Sequence, residues 1–286
     1  MSSWPRPLAW SGGSLGGGRP AVMAILNLTA DSFFDGGRYE SLQAAQERAW
    51  EVVEEGADVL DLGGESSRPG SEGVSEEEEL ARVLPVLDLL RSGPRPYPLP
   101  ISVDTSRARV AQEALEAGAS IINDISGGTR EPRILEVTAE HGAAIVLMHM
   151  RGTPRTMQDN VAYEDLIDET RDQLASSCAT ATAAGIPPER QAIDPGIGFG
   201  KSPEGCLDLI GNLSAFAELQ RPILVGASRK SFLGRAFGHG LEERLEGSLS
   251  AAALSVAAGA SILRVHDVLA TRRAVDVAAR IRDSRR

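Results

Sequence analysis

Eight short apolar runs, each ending in a polar residue and each followed by a loop or helical stretch, predict an α/β chain folded as a single (β/α)8 TIM barrel. Two further observations support it. The runs are mostly apolar on both faces, as strands buried in a parallel sheet are, and no sustained series of hairpin turn signals breaks the alternation. A doubly wound open sheet is the competing arrangement for the same pattern.

Residues 1–20 are rich in Gly, Ser and Pro and contain Trp4 and Trp10. They read as a flexible or hairpin-like extension whose tryptophans cover apolar surface. The barrel is expected over residues 21–286, with strands in 21–28, 57–62, 100–104, 120–124, 143–150, 191–194, 222–228 and 261–267. Helices are expected at 41–55, from Ser75, at 107–117, 163–184 and 270–283. Ser75 with Glu78 three residues on has the form of a capping box. The acidic run Glu76 to Glu79 then suits a positive helix N-terminus and a solvated face.

A chain of 286 residues fits one barrel and buries a large core without disulfide or metal staples. Cys178 and Cys206 lie far apart without paired spacing and read as reduced helix or core residues. A net charge of -11 argues against general binding of nucleic acid or of an anionic membrane. No apolar stretch approaches the ~18 residues of a membrane span, and no signal-like start is present, so a cytoplasmic location is expected.

Catalytic residues of a barrel sit at the C-terminal ends of its strands. Asn27, Asp61, Asp104, Asn123, His149, Asp194, Ser228, Arg264 and His266 all fall there. Apolar strands have no structural need of such residues. GGESSRPG (63–70) is a Gly-rich loop that carries Arg68, suited to an anion. DPGIGFGKS (194–202) nearly matches a nucleotide loop, but Pro195 stands where its first glycine belongs. GASRKSFLGR (226–235) sets Ser228, Arg229 and Lys230 at a strand-to-helix junction that favours an anion. In RVHD (264–267), Arg264 and His266 alternate with Val265 and therefore face the same side. No zinc-ligand spacing occurs.

Together these segments, with AVMAILNLTADSFFDGG (21–37), ISVDTSR (101–107), IINDISGG (121–128) and LMHMRGTPRTMQ (147–158), resemble the dihydropteroate synthase family, in order from Ala21 onward. The resemblance implies condensation of a pterin diphosphate with p-aminobenzoate. It implies that Asp104, Asn123, Asp194 and Lys230 bond the pterin ring, with Met148 beside it. Asn27 would meet Mg²⁺ and the diphosphate, and Arg264 and His266, helped by Ser67, would hold the diphosphate. Arg68, Pro69, Phe199 and Ser228 would shape the p-aminobenzoate site. Loops around Asp31 and Arg68 would close over the reaction, and the chain would form a homodimer. Ala30 and Phe34 depart from the family's usual Pro and Ser; the resemblance to sulfonamide-insensitive relatives at this Phe-Phe pair implies altered sulfonamide discrimination. A pterin-binding methyltransferase domain and an inactive pterin-binding paralogue are the alternatives.

Overall fold

The structure, a computed structural model, describes residues 6–28, 38–66, 70–71, 73–93 and 95–284, without the side chains of residues 38–41. Trp4, Ala30, Asp31, Phe34, Ser67, Arg68 and Pro69 lie outside the described residues.

The chain begins with an antiparallel hairpin, β1 (Leu8–Trp10) and β2 (Gly13–Leu15). The barrel follows as β3 (Ala21–Asn27), α1 (Arg38–Glu54), β4 (Val59–Gly63), α2 (Glu76–Ser92), β5 (Ile101–Asp104), α3 (Ala108–Glu116), β6 (Ile121–Asp124) and α4 (Arg133–Glu140). It continues through β7 (Ala144–Met148), α5 (Leu166–Ala183), β8 (Gln191–Asp194), α6 (Pro203–Gly211), β9 (Leu224–Val225), α7 (Ser231–Phe237), α8 (Leu245–Ala257), β10 (Ile262–Val265) and α9 (Val268–Ser284). All ladders of the barrel are parallel, in the order β8-β7-β6-β5-β4-β3-β10-β9. A parallel bridge between Ile193 and Ile223 joins β8 to the start of β9 and closes the ring.

Period-two alternation divides the strand residues between two cores. Val22, Ala24, Leu60, Leu62, Val103, Ile145 and Leu263 face outward and meet the helices. Met23, Val59, Ile121, Val146, Ala192, Leu224 and Ile262 face inward, where Leu8 and Leu15 of the hairpin join them. The hairpin thus plugs the N-terminal end of the barrel, with Trp10 packed against the same cluster. Leu8 has no solvent exposure. Leu8→Ala is expected to lower unfolding free energy by about 3 kcal/mol through the cavity it opens, read as a lower urea midpoint, while the turnover of folded enzyme stays unchanged.

The cap of α2 forms as the sequence implies in its forward half: Ser75 Oγ accepts from the Glu78 amide. The solvated-face reading of the acidic run needs one correction. Glu79 is buried, because its position one turn into α2 faces the barrel wall, and it pairs there with Arg107. Cys178 and Cys206 are free and buried on α5 and α6. Among the described residues no helix is long and apolar enough to cross a membrane.

Candidate active site

One layer above the apolar interior, the inward positions turn polar. Asp61 stands two residues beyond Val59, Asn123 beyond Ile121, Asp194 beyond Ala192 and Arg264 beyond Ile262, so each keeps the inward face of its strand. Asp104 pairs in register with Asn123, and Met148 with Asp194. The barrel therefore gathers Asp61, Asp104, Asn123, Asp194 and Arg264, among the strand-end residues singled out in the sequence, into one floor at its C-terminal mouth.

Arg264 is the centre of that floor. Its Nε donates to Asp61 Oδ2 at 2.6 Å and its Nη2 to Asp104 Oδ2 at 2.7 Å. Asn123 Nδ2 donates to the same Asp61 oxygen at 3.3 Å. One guanidinium faces two carboxylates, so the cluster carries an excess negative charge. Burial pushes the Asp104 carboxyl up to about 7 against the pull of Arg264, and Asp61 adds to the push. Burial also acts to lower Arg264, but Asp61 and Asp104 outweigh it and hold the guanidinium protonated above its ordinary range.

Asp194 and Lys230 form the opposite side. Asp194 Oδ1 accepts from the Gly196 amide at 2.7 Å, and burial raises its carboxyl against the pull of Lys230. Lys230 Nζ donates to the Ile197 carbonyl at 2.6 Å and lies 4.4 Å from the centre of the Phe199 ring. Burial brings its ammonium down to about 8, opposed by Asp194. Phe199, Met148 and Met157 form a small apolar cluster with Ile125 and Met150 packed on it. The floor thus joins buried carboxylates and an amide, which read N–H and C=O edges, to an apolar wall suited to a flat ring.

The remaining residues named from sequence are placed around this floor. Ser228 Oγ lies 3.1 Å from His266 Nδ1 and accepts from the His266 amide at 3.2 Å. Arg229 turns to Asp267 in a two-toothed ion pair at 2.8 Å for each bond, and so is committed there. Asn27 ends β3, half-exposed, with its Oδ1 beside Gly63. Asp31, Ser67, Arg68 and Pro69 fall outside the described residues, but the ends of the loop that carries the last three are held. Arg107 bonds Glu65 at its start and the Val74 carbonyl at its end, and Gly70 donates to the Pro154 carbonyl at 3.1 Å.

Two contributors stand outside the sequence-derived site. Asp61 was visible as a polar strand end but had no role there, and its partner Arg264 lies 203 residues away. Lys201 ends the Gly-rich loop that fails as a nucleotide motif. It is buried and donates to the Phe199 carbonyl at 2.9 Å, with His149 Nδ1 at 2.8 Å. Burial lowers the His149 ring to about 3, so its neutral ring accepts from the lysine. His149 is thereby a structural anchor for the loop that presents Phe199.

The pterin binding enzyme family matches residues 23–266. The dihydropteroate synthase of Synechocystis sp. is 47% identical over 253 residues, spanning 88% of this chain and 86% of that protein. The dihydropteroate synthase of Escherichia coli (strain K12) is 44% identical over 93% of each chain. A solved Yersinia pestis dihydropteroate synthase with a sulfonamide drug complex superposes with a TM-score of 0.90 at 40% identity, covering 97% of this chain and 100% of that one. Xanthomonas albilineans dihydropteroate synthase with 4-aminobenzoic acid gives 0.87 at 42% identity, covering 96% and 97%. The chain belongs to the pterin-binding enzyme family and, within it, to the dihydropteroate synthases.

Proposed function

We propose that this chain joins 6-hydroxymethyl-7,8-dihydropterin diphosphate to p-aminobenzoate, releasing 7,8-dihydropteroate and diphosphate, as a step in folate biosynthesis. The observation that carries the reading is the polar floor at the barrel mouth, where Asp104, Asn123, Asp194, Lys230 and Arg264 stand around an apolar wall. Asp104, Asn123 and Asp194 offer acceptors and an amide to the ring edge of a pterin, Lys230 donates to it, and Met148 lies against its face. Arg264 and His266, with Ser67, hold the diphosphate. Negative charge grows on that group as its C–O bond breaks, and fixed cations there lower the barrier. The aniline nitrogen then forms the C–N bond and gives up a proton. Phe199, Ser228, Pro69 and Arg68 shape the p-aminobenzoate site, and the loops that bear Asp31 and Arg68 exclude water.

Mg²⁺ belongs to the same reading, with Asn27 as its protein ligand. The Asn27 amide has no hydrogen-bond partner among the described residues and stands half-exposed at the mouth. One amide oxygen suits a hard cation that keeps waters and shares the substrate's phosphate oxygens. Bound there, the ion would neutralise charge on the leaving diphosphate. A homodimer fits exposed Leu254, Val277 and Ile281 on α8 and α9, since large apolar side chains at 63%, 60% and 54% exposure invite cover. Small-molecule substrates, a cytoplasmic location, no nucleic acid partner and a role as sulfonamide target, with discrimination altered at the Phe33–Phe34 pair, complete the proposal.

The test is diphosphate release with the pterin diphosphate, Mg²⁺ and p-aminobenzoate, each omitted in turn. Release that needs all three, with dihydropteroate formed, supports the synthase. Pterin binding without release would move the reading to a methyltransferase or an inactive paralogue. Asp104→Asn is expected to weaken pterin binding by roughly 10- to 100-fold, the worth of one charge-assisted hydrogen bond, as read by calorimetry. An unchanged affinity removes Asp104 from the pocket. The pH profile should also report the floor. Asp104 serves as acceptor once ionised, so kcat/KM should rise through about 7, and it should fall through about 8 as Lys230 loses its proton. Asp104→Asn should erase the acid limb alone.

A further inference from the structure

We infer that Asp61 is a positioning residue, whose carboxylate holds Arg264 by its Nε so that the guanidinium stays at the diphosphate when a pterin ring occupies Asp104. The inference rests on the synthase reading above and adds to it a residue that the reading does not use.

Three observations carry it. First, Arg264 is divided between two partners by different nitrogens: Nε serves Asp61 and Nη2 serves Asp104. The two bonds can therefore be given up separately. Second, Asp61 has no solvent exposure, so it acts on a ligand only through what it holds. Its Oδ2 accepts from Arg264 Nε at 2.6 Å and from Asn123 Nδ2 at 3.3 Å; an amide oxygen can keep the longer neutral bond, but the short charge-assisted one depends on the carboxylate. Third, its Oδ1 is buried with no hydrogen-bond partner among the described residues. A buried ion pair regains roughly what its desolvation costs, and an unmet acceptor adds to that cost.

Charge arithmetic gives the pairing its consequence. With Arg264 shared, the three groups carry one negative charge in excess. When the N–H donors of a pterin engage Asp104, that excess is met by the ligand, and Asp61 with Arg264 remains a neutral pair. The released Nη2 then points its donors to the anion. Without Asp61, pterin binding would strip Arg264 of its remaining partner, and a long flexible side chain would have to be reordered by the diphosphate itself.

The full-length enzyme carrying Asp61→Asn tests this. Bare 6-hydroxymethyl-7,8-dihydropterin should bind within about threefold of the unaltered enzyme, while affinity and kcat/KM for the pterin diphosphate fall by about 30-fold, because only the anion depends on Arg264. In an Arg264→Lys background, which lacks the Nε donor, adding Asp61→Asn should change kcat/KM by less than about threefold. Equal losses for both ligands, or losses that multiply in the double variant, would overturn the inference. Should Asp61→Asn fail to fold, the ¹⁵N-labelled unaltered protein answers directly. The Arg264 Nε–H resonance, assigned through Arg264→Lys, should stay exchange-protected when bare pterin is added; its loss would overturn the inference. Absence of turnover in the unaltered enzyme would instead sink the synthase reading, leaving the resonance experiment to judge Asp61.

Discussion

Arg264→Ala is expected to cost the enzyme both stability and nearly all turnover. Arg264 is the cation bonded to Asp61 and Asp104 among the described residues. Its removal leaves two buried carboxylates facing each other, and breaking a buried pair from one side costs about 3–5 kcal/mol. The loss should depend on pH, with a sign that can be worked out. A carboxyl whose folded pKa is raised binds its proton more tightly folded than unfolded. It gives no penalty below its unfolded value near 3.8, and a growing one as pH rises toward its folded value, already about 7 with Arg264 present. Arg264→Ala should therefore be destabilised more at pH 8 than at pH 5, where the cluster can neutralise itself with a proton. Urea unfolding at the two pH values checks this; equal losses would mean the pair is not the buried cluster described. Turnover of the pterin diphosphate should fall by about 10²- to 10³-fold, as for loss of one preorganised transition-state donor. Binding of bare pterin should fall far less. Arg264→Lys should recover part of the stability and little of the turnover, since an ammonium cannot serve Asp61 and an anion with the same fork.

The fold was legible because buried parallel strands announce themselves. All eight apolar runs became barrel strands, and the polar residues Asp61, Asp104, Asn123, Asp194 and Arg264 at their ends meet in one floor, while His149 serves the neighbouring loop. The helices were read less completely. α8 (LEGSLSAAALSVA) is small and apolar on most of its faces, so no stripe marks it. α6 follows directly on a Gly-rich loop and opens on Pro203, and α4 is only eight residues long. Lys201 and Glu79 escaped for a different reason. Charged residues in a helix start or a loop read as solvated, and only the folded chain shows the His149 ring or the Arg107 guanidinium that makes burial tolerable. Asp61 stood in plain view as a strand end, yet its meaning depends on a bond to the last strand of the barrel. Sequence can place a residue on a face; which neighbour it serves is set by closure of the ring.

The loop after β8 shows how far such closure can make one backbone atom matter, and Gly196→Ala should be the most damaging alanine substitution among the described glycines. Gly196 has φ +71°, a region that costs an alanine roughly 1–2 kcal/mol. A Cβ there would overlap the His149 carbonyl oxygen. That carbonyl has little freedom to yield: the His149 amide is bonded to the Asp194 carbonyl at 2.9 Å, and the Lys201 ammonium lies 3.4 Å from the carbonyl itself. Relief must come from the loop, but moving Gly196 withdraws the amide that orients Asp194 Oδ1. The steric cost is therefore transmitted to the pterin floor. Stability should drop by about 3 kcal/mol or more, from strain plus overpacking, and pterin affinity should fall by at least about tenfold from the lost Asp194 geometry. Gly211→Ala is the matched control. It ends α6 with nothing within 4 Å of a new Cβ, so alanine there should be neutral or stabilising by about 0.5–1 kcal/mol. Thermal melts and pterin calorimetry on the two variants separate the explanations. If Gly196→Ala loses stability but binds pterin as well as Gly211→Ala does, the loop yields without disturbing Asp194, and the Gly196 amide is not what holds that carboxylate in place.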